Sequence, residues 1–130
     1  MVEMWFQKSA TDLKTAKLLS SQNQEDFLGS SVFHAQQAAE KAIKGYLTMK
    51  KVRFPKTHDI AKLLKLIATV DPDFAGQLAP ATILTQFATA YRYPEEVEPP
   101  EPLTDQSCAK AYAIAVWVYE EAKAKCSKNP

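Results

Sequence analysis

One predicted helical segment carries polar side chains whose types and spacing suit phosphate binding or proton transfer. Residues 33–47 show the periodicity of a helix, and several polar members recur at steps of three and four, so they lie on one side of it. These members are His34, Gln37, Lys41 and Lys44. An imidazole beside two ammonium groups could bind a phosphate or move a proton. The alternative for His34 is a partly buried histidine whose hydrogen bonds are satisfied within the protein.

Three residues outside this segment could join such a site. Arg92 and Tyr93 are expected at the end of a helix, where a guanidinium can hold a phosphate through two hydrogen bonds. His58 is expected to contribute contacts at the start of another helix. No Ser, Cys or Asp is spaced to complete a catalytic triad with either histidine, so we name no catalytic residue. The predicted phosphate-binding residues are Arg92, Lys41, Lys44, His34, Tyr93 and His58.

Asp12 lies in the middle of the apolar stripe of the first predicted helix. An unpaired buried carboxylate is costly, so this residue needs a cation. Arg92, Lys41 or Lys44 could supply it. For Arg92, pairing with a carboxylate is therefore the structural alternative to binding a phosphate.

The C-terminal half of the second predicted helix and the loop after it form a basic segment. Its cations, with no acidic residue between them, are Lys41, Lys44, Lys50, Lys51, Arg53 and Lys56. Such a patch can follow phosphates, although a run of lysines is also typical of a solvated helix face. The loop at residues 94–102 contains four prolines and four glutamates. It offers an electrostatic complement to the patch, either in the same chain or in a partner.

The bulk properties exclude several classes of protein. The chain has 130 residues, net charge +1 and no apolar run long enough to span a membrane, which predicts a single cytoplasmic domain over residues 1–130. Cys108 and Cys126 are expected on one helix, roughly 27 Å apart at about 1.5 Å per residue, beyond the reach of a disulfide. No metal-ligand spacing is present, and we expect no cofactor.

Helical periodicity dominates the chain and predicts an all-α fold, an up-and-down bundle of four long helices plus a short or broken helix. The predicted landmarks are a second helix from about Glu25 to Lys51, a third capped by Thr57, a short piece opened by Asp71 and Pro72, a break at Pro80, and a last helix capped by Thr104.

The last helix has a second apolar side that contains Ile114 and Trp117. This side predicts a homodimer, with the alternative that Trp117 wraps the edge of its own bundle.

Three segments in order resemble the HEPN (higher eukaryotes and prokaryotes nucleotide-binding) domain family. They are residues 33–46, the sequence PKTHDI at residues 55–60, and YRYP at residues 91–94. The resemblance extends over essentially the whole chain. It implies a bundle of four or five helices that commonly dimerises. It also implies genomic pairing with a minimal nucleotidyltransferase, as in toxin–antitoxin systems.

Many members of this family are metal-independent RNases with an Arg followed four to six residues later by a His. Arg92 stands where that Arg belongs, but no His follows it in the chain. The missing His favours a non-catalytic, dimeric module that is regulatory or binds a nucleotide, another phosphate or RNA. The alternative is an RNase, or a degenerate RNase, that uses Arg92 with a His from elsewhere.

Overall fold

The structure is a computed structural model that describes residues 1–22 and 24–127, and within these it is all helices and connections. The helices are α1 (Val2–Ser20), α2 (Asp26–Met49), α3 (Ile60–Ala68), α4 (Pro72–Gln77), α5 (Ile83–Arg92) and α6 (Asp105–Ser127). A 3-10 turn, Ala79–Thr82, joins α4 to α5. The predicted all-α bundle is confirmed. Three helices are long, and the shorter helices α3, α4 and α5 follow one another where the sequence predicted a short piece at Asp71 and a break at Pro80.

The central helix is α2, which contacts α1, α3, α5 and α6. Its small residues allow neighbouring helices to approach closely. Ala35, Ala39 and Ala42 are buried, and a Cβ on Gly45 would lie 2.9 Å from the ring of Phe6.

Two buried hydroxyls hold α1 against α2. Ser9 donates to the carbonyl of Ala38 at 2.6 Å, and Ser31 donates to the carbonyl of Ala16 at 2.7 Å. Each donor satisfies its own hydrogen-bonding need across the interface, so the burial of these hydroxyls is not penalised.

Two of the predicted helix starts are confirmed. Asp71 Oδ1 accepts from the backbone N–H of Phe74 at 3.1 Å, and Thr104 Oγ1 accepts from that of Ser107 at 3.1 Å. The prediction for Thr57 is wrong. The N-cap of α3 is Asp59, whose Oδ1 accepts from the N–H of Ala61 at 3.0 Å.

The other sequence landmarks fall as follows. Cys108 is buried, Cys126 is half-buried and both thiols are free. Burial raises the pKa of each thiol. Ile114 and Trp117 on α6 are partly buried and pack against the core. Among the described residues, no helix is long and apolar enough to cross a bilayer.

The acidic loop between α5 and α6 is tied to both helices. The backbone N–H groups of Glu96 and Val97 donate to the carbonyl of Tyr93 at 3.0 and 2.9 Å. Glu101 forms an ion pair with Lys110 of α6 at 3.0 Å. One of the four glutamates expected to complement the basic segment is therefore engaged with α6.

Candidate functional site

The polar residues of α2 divide into two clusters, where the sequence indicated one stripe. The first cluster surrounds Asp12 of α1, which is 8% exposed. His34 Nδ1 lies 3.0 Å from Asp12 Oδ1, and Lys41 Nζ lies 2.5 Å from Oδ2. The expected cation is thus Lys41, joined by His34. These two residues are seven positions apart on α2, so both face α1.

The second cluster, which we call the Glu40 relay, consists of Gln36, Glu40, Lys44 and His58. The Glu40 side chain is 4% exposed. Its Oε2 accepts from Lys44 Nζ at 2.8 Å, and its Oε1 accepts from Gln36 Nε2 at 3.2 Å. His58 Nδ1 lies 2.9 Å from the same Oε1. A buried carboxylate with this many partners is well compensated for its lost hydration.

The two lysines predicted to bind phosphate are engaged with carboxylates. The Lys44 side chain is 9% exposed, and its ammonium lies 5.8 Å from the ring centroid of Trp5 and 5.7 Å from that of Phe54. Lys41 is paired with Asp12. The basic segment therefore presents fewer available cations than the sequence suggested. The residues of the basic segment alone do not show these ion pairs, because Asp12 belongs to another helix and Glu40 lies just before the first lysine of the segment.

A polar cleft of about 290 Å³ opens where the start of α3 meets the end of α5 and the middle of α2. Its lining residues are Gln36, Thr57, His58, Asp59, Thr85, Ala88, Thr89, Arg92 and Tyr93. Of the six predicted site residues, the structure brings Arg92, Tyr93 and His58 together here. Lys41 lines a separate hollow with Asp12.

The end of α5 is held against α2 by aromatic packing. Gly29 leaves room for the ring of Tyr91, which a Cβ at that position would overlap. Tyr91 also lies 6.0 Å, centroid to centroid, from Phe33. The guanidinium of Arg92 stacks 4.7 Å from the same Phe33 ring. This cation–π contact helps to position the guanidinium, whose N–H groups can still donate hydrogen bonds.

His58 directs Nδ1 towards Glu40. The other ring nitrogen, Nε2, therefore lies on the side of the ring away from that carboxylate. The His58 side chain is 60% exposed, and within the described residues Nε2 has no hydrogen-bond partner. The cleft therefore combines a positioned guanidinium with an oriented imidazole, which are two groups that can donate to a phosphate oxygen.

The residues predicted from the sequence did not include Glu40 and Gln36. Their spacing with Lys44, at steps of four along α2, was a usable signal for a polar stripe. No local pattern could have indicated the contact between Glu40 and His58, which are 18 residues apart and meet only through the fold. In the described part of the chain, no group of three or more His, Cys, Asp or Glu side chains could hold a metal ion.

A model of the HEPN domain matches residues 2–125. The chain belongs to the HEPN domain family. The resemblance indicated by the three sequence segments is therefore confirmed.

Two solved structures share the HEPN fold of this chain. TT1696 from Thermus thermophilus superposes with a TM-score of 0.75 at 24% identity, over 95% of this chain and 97% of that one. ST0689, an archaeal HEPN homologue, superposes with a TM-score of 0.70 at 25% identity, over 97% of this chain and 98% of that one. No curated protein matches this HEPN domain.

Proposed function

We propose that this HEPN domain is a dimeric module that binds a nucleotide, or another phosphate-bearing ligand, in the cleft lined by Arg92 and His58. The observation that carries the proposal is the presence of both donors in one cavity. A volume of about 290 Å³ is just below the usual range for small-molecule sites, roughly 300–1,000 Å³. We therefore expect one phosphate and a group the size of a nucleoside to enter.

The remaining residues of the cleft support this assignment. The hydroxyl of Thr89 donates to the carbonyl of Thr85 at 2.8 Å, and the hydroxyl of Thr85 accepts from the N–H of Ile60 at 3.1 Å. These bonds hold the side chains of Thr85 and Thr89 in place on the side of the cleft that also contains Arg92. Tyr93, 53% exposed, offers an aromatic face at the edge of the cleft on which a base could stack.

The assembly and partner proposals rest on the family and on α6. HEPN domains commonly dimerise, and Ile114 and Trp117 give α6 a second apolar side. Genomic pairing with a minimal nucleotidyltransferase, as in a toxin–antitoxin system, is proposed from the family alone. An adjacent nucleotidyltransferase gene would support it. The cytoplasmic location expected from the sequence stays a prediction.

Calorimetric titration with AMP, ADP and ATP tests the binding proposal. We expect Arg92→Gln to weaken binding about tenfold or more, because a charge-assisted pair of hydrogen bonds is lost. Arg53→Gln is the matched control, since Arg53 is exposed and lies outside the cleft. Equal affinities in the wild type and Arg92→Gln would show that any bound nucleotide lies elsewhere.

A second candidate function, a metal-independent RNase, is favoured by one observation. Arg92 lacks the following His, but His58 lines the same cleft and is oriented by Glu40. A histidine held in this way can serve as a general acid or base. Cleavage of labelled single-stranded RNA that persists with EDTA and is lost in both His58→Gln and Arg92→Gln would establish this activity. We expect no cleavage above background.

A further inference from the structure

We propose that anion binding in the cleft takes up a proton on His58, and that Glu40 is the positioning residue that makes Nε2 the proton acceptor. The inference rests on the proposed function, because it takes the cleft as the ligand site. It adds a regulation of that site. A phosphate or phosphoryl ligand is then held more tightly as the pH falls through the neutral range.

The contact between His58 and Glu40 decides where the first ring proton lies. A carboxylate only accepts hydrogen bonds, so the imidazole nitrogen 2.9 Å from Glu40 Oε1 must carry a proton. In the neutral ring this leaves the lone pair on Nε2. A lone pair repels a phosphate oxygen, whereas a protonated Nε2 donates to it. Ligand and proton therefore favour each other's binding at this residue.

The rest of the relay keeps Glu40 in place. Lys44 holds Oε2 at 2.8 Å, and Gln36 donates both to Oε1 at 3.2 Å and to the carbonyl of His58 at 2.7 Å. Gln36 therefore ties the backbone of His58 to the carboxylate that orients its ring. Lys44 also balances the charge of Glu40, so the site gains no net negative charge from the carboxylate.

The other groups that face His58 do not compete for this role. Glu40 contacts it from α2 and binds Lys44 through its other oxygen, Asp59 is its neighbour and caps α3, and Arg92 and Tyr93 lie at the end of α5. An arginine is always charged, and imidazole is the side chain whose charge ordinarily changes near neutral pH.

The chain has only two histidines, and the other one does not line the cleft. His34 contacts Asp12, which also binds Lys41. A proton taken up near neutral pH when an anion binds in the cleft can therefore be assigned to His58 by changing each histidine in turn.

The probe is sodium sulfate, because the sulfate dianion does not itself titrate in this range. Its binding is measured by NMR on the full chain at constant ionic strength. We expect the wild type to bind sulfate about fivefold more tightly near pH 6 than near pH 8. His58→Gln should lose this difference, and His34→Gln, the matched control, should keep it.

Glu40→Gln tests the positioning role through the imidazole nitrogen signals. We expect the wild type to carry its proton on Nδ1 of His58 near pH 8, and the variant to show a mixture of both tautomers. A purely structural role for Glu40 would leave the tautomer unchanged. Since Glu40→Gln alone leaves the Lys44 ammonium buried without its carboxylate, the double variant Glu40→Gln, Lys44→Gln provides a second background in which the same mixture is expected.

The outcomes separate the two proposals. If neither sulfate nor AMP binds the wild type at either pH, the proposed function fails and this inference fails with it. If both bind with the same affinity at the two pH values, or if the pH dependence survives in His58→Gln, the cleft remains a phosphate site and the proton coupling is wrong.

Discussion

Asp12 illustrates how a single buried carboxylate organises the surface of this bundle. Its two oxygens are divided between His34 and Lys41, which are 30% and 26% exposed at their side chains. The need for a cation was predictable from the sequence, because a charge stood in an apolar stripe. The choice of Lys41 and His34 over Arg92 was not predictable, since it depends on which side of α2 meets α1.

We expect Asp12→Ala to destabilise the fold by about 2 kcal/mol. Removing one member of a buried pair leaves its partner uncompensated, and the partial exposure of both partners here reduces the usual cost. Urea unfolding of the variant measures the loss. Glu120→Ala, at an exposed position on α6, is the control and should change stability by less than about 0.5 kcal/mol. A similarly small effect at Asp12 would contradict the pairing.

Tyr46 carries a buried polar atom without a partner. Its hydroxyl accepts and donates no hydrogen bond within the described residues, and its side chain is fully buried beside Phe74. Desolvation, with smaller effects from Asp71 and Cys126, raises the pKa of Tyr46 from 10.0 to about 12. Burial therefore favours the neutral phenol in the folded chain.

Tyr46→Phe should be neutral or stabilising near pH 8, because it removes a hydroxyl that lost its hydration without gaining a hydrogen bond. The sign of the pH dependence follows from the raised pKa. The neutral phenol's contribution is fully present below pH 10, the value for an exposed tyrosine, and is lost as the pH rises towards about 12. Urea midpoints of the wild type should therefore fall more steeply than those of Tyr46→Phe across this range. Parallel curves would contradict the burial of an ionisable phenol.

At the scale of elements, helix starts were the most predictable feature. Asp71 followed by Pro72 places a capping carboxylate and a residue with a preset φ at the right positions, and both act locally. The start of α3 was less predictable because Thr57 and Asp59 are both good caps. Thr57 instead accepts from the N–H of Asp59 at 3.1 Å. With Asp59 as the cap, α3 begins two residues later than it would with Thr57 as the cap.

Asp71 should make the stability of the α4 region sensitive to acid. The backbone N–H of Phe74 has the largest effect on the pKa of Asp71 and lowers it. Desolvation opposes this in part, and Lys125 of α6 and Lys50 lower the pKa further. A lowered pKa means that the stabilisation is present above about pH 4 and is lost as the pH falls through the folded value.

We expect Asp71→Ala to cost about 1 kcal/mol near pH 6, the usual value of a lost cap, and much less near pH 3. Thermal unfolding at the two pH values measures the difference. Asp73→Ala is the control, because Asp73 is exposed in the same turn. An equal cost at both pH values would mean that the Asp71 carboxylate does not cap α4 in its charged form.

At the scale of the whole molecule, the cleft shows the limit of sequence reasoning. Its members come from α2, the start of α3 and the end of α5, and residues as distant as Gln36 and Arg92 share one cavity. Composition and periodicity predicted the bundle, and three short segments predicted the family. The selection of Arg92, Tyr93 and His58 from the six candidates required the packing angles of the helices, which no local pattern contains.

The last helix provides the test of assembly. Its second apolar side contains Ile114 and Trp117, which are only partly covered by their own chain. Apolar surface left at the edge of a small bundle is stabilised when a second copy covers it, and a symmetric dimer does so for both copies at once. We expect light scattering to give the mass of a dimer for the wild type.

Trp117→Glu should shift this protein to a monomer, because the dimer would have to bury an unpaired carboxylate. Trp117 also packs against the core, so Ala113→Arg provides a second variant on an exposed residue one turn earlier on the same helix. The same substitution at exposed Ala68 on α3 is the control and should leave the dimer intact. A monomeric wild type, or a dimer that persists in Ala113→Arg with an unchanged circular dichroism spectrum, would mean that α6 merely closes its own bundle.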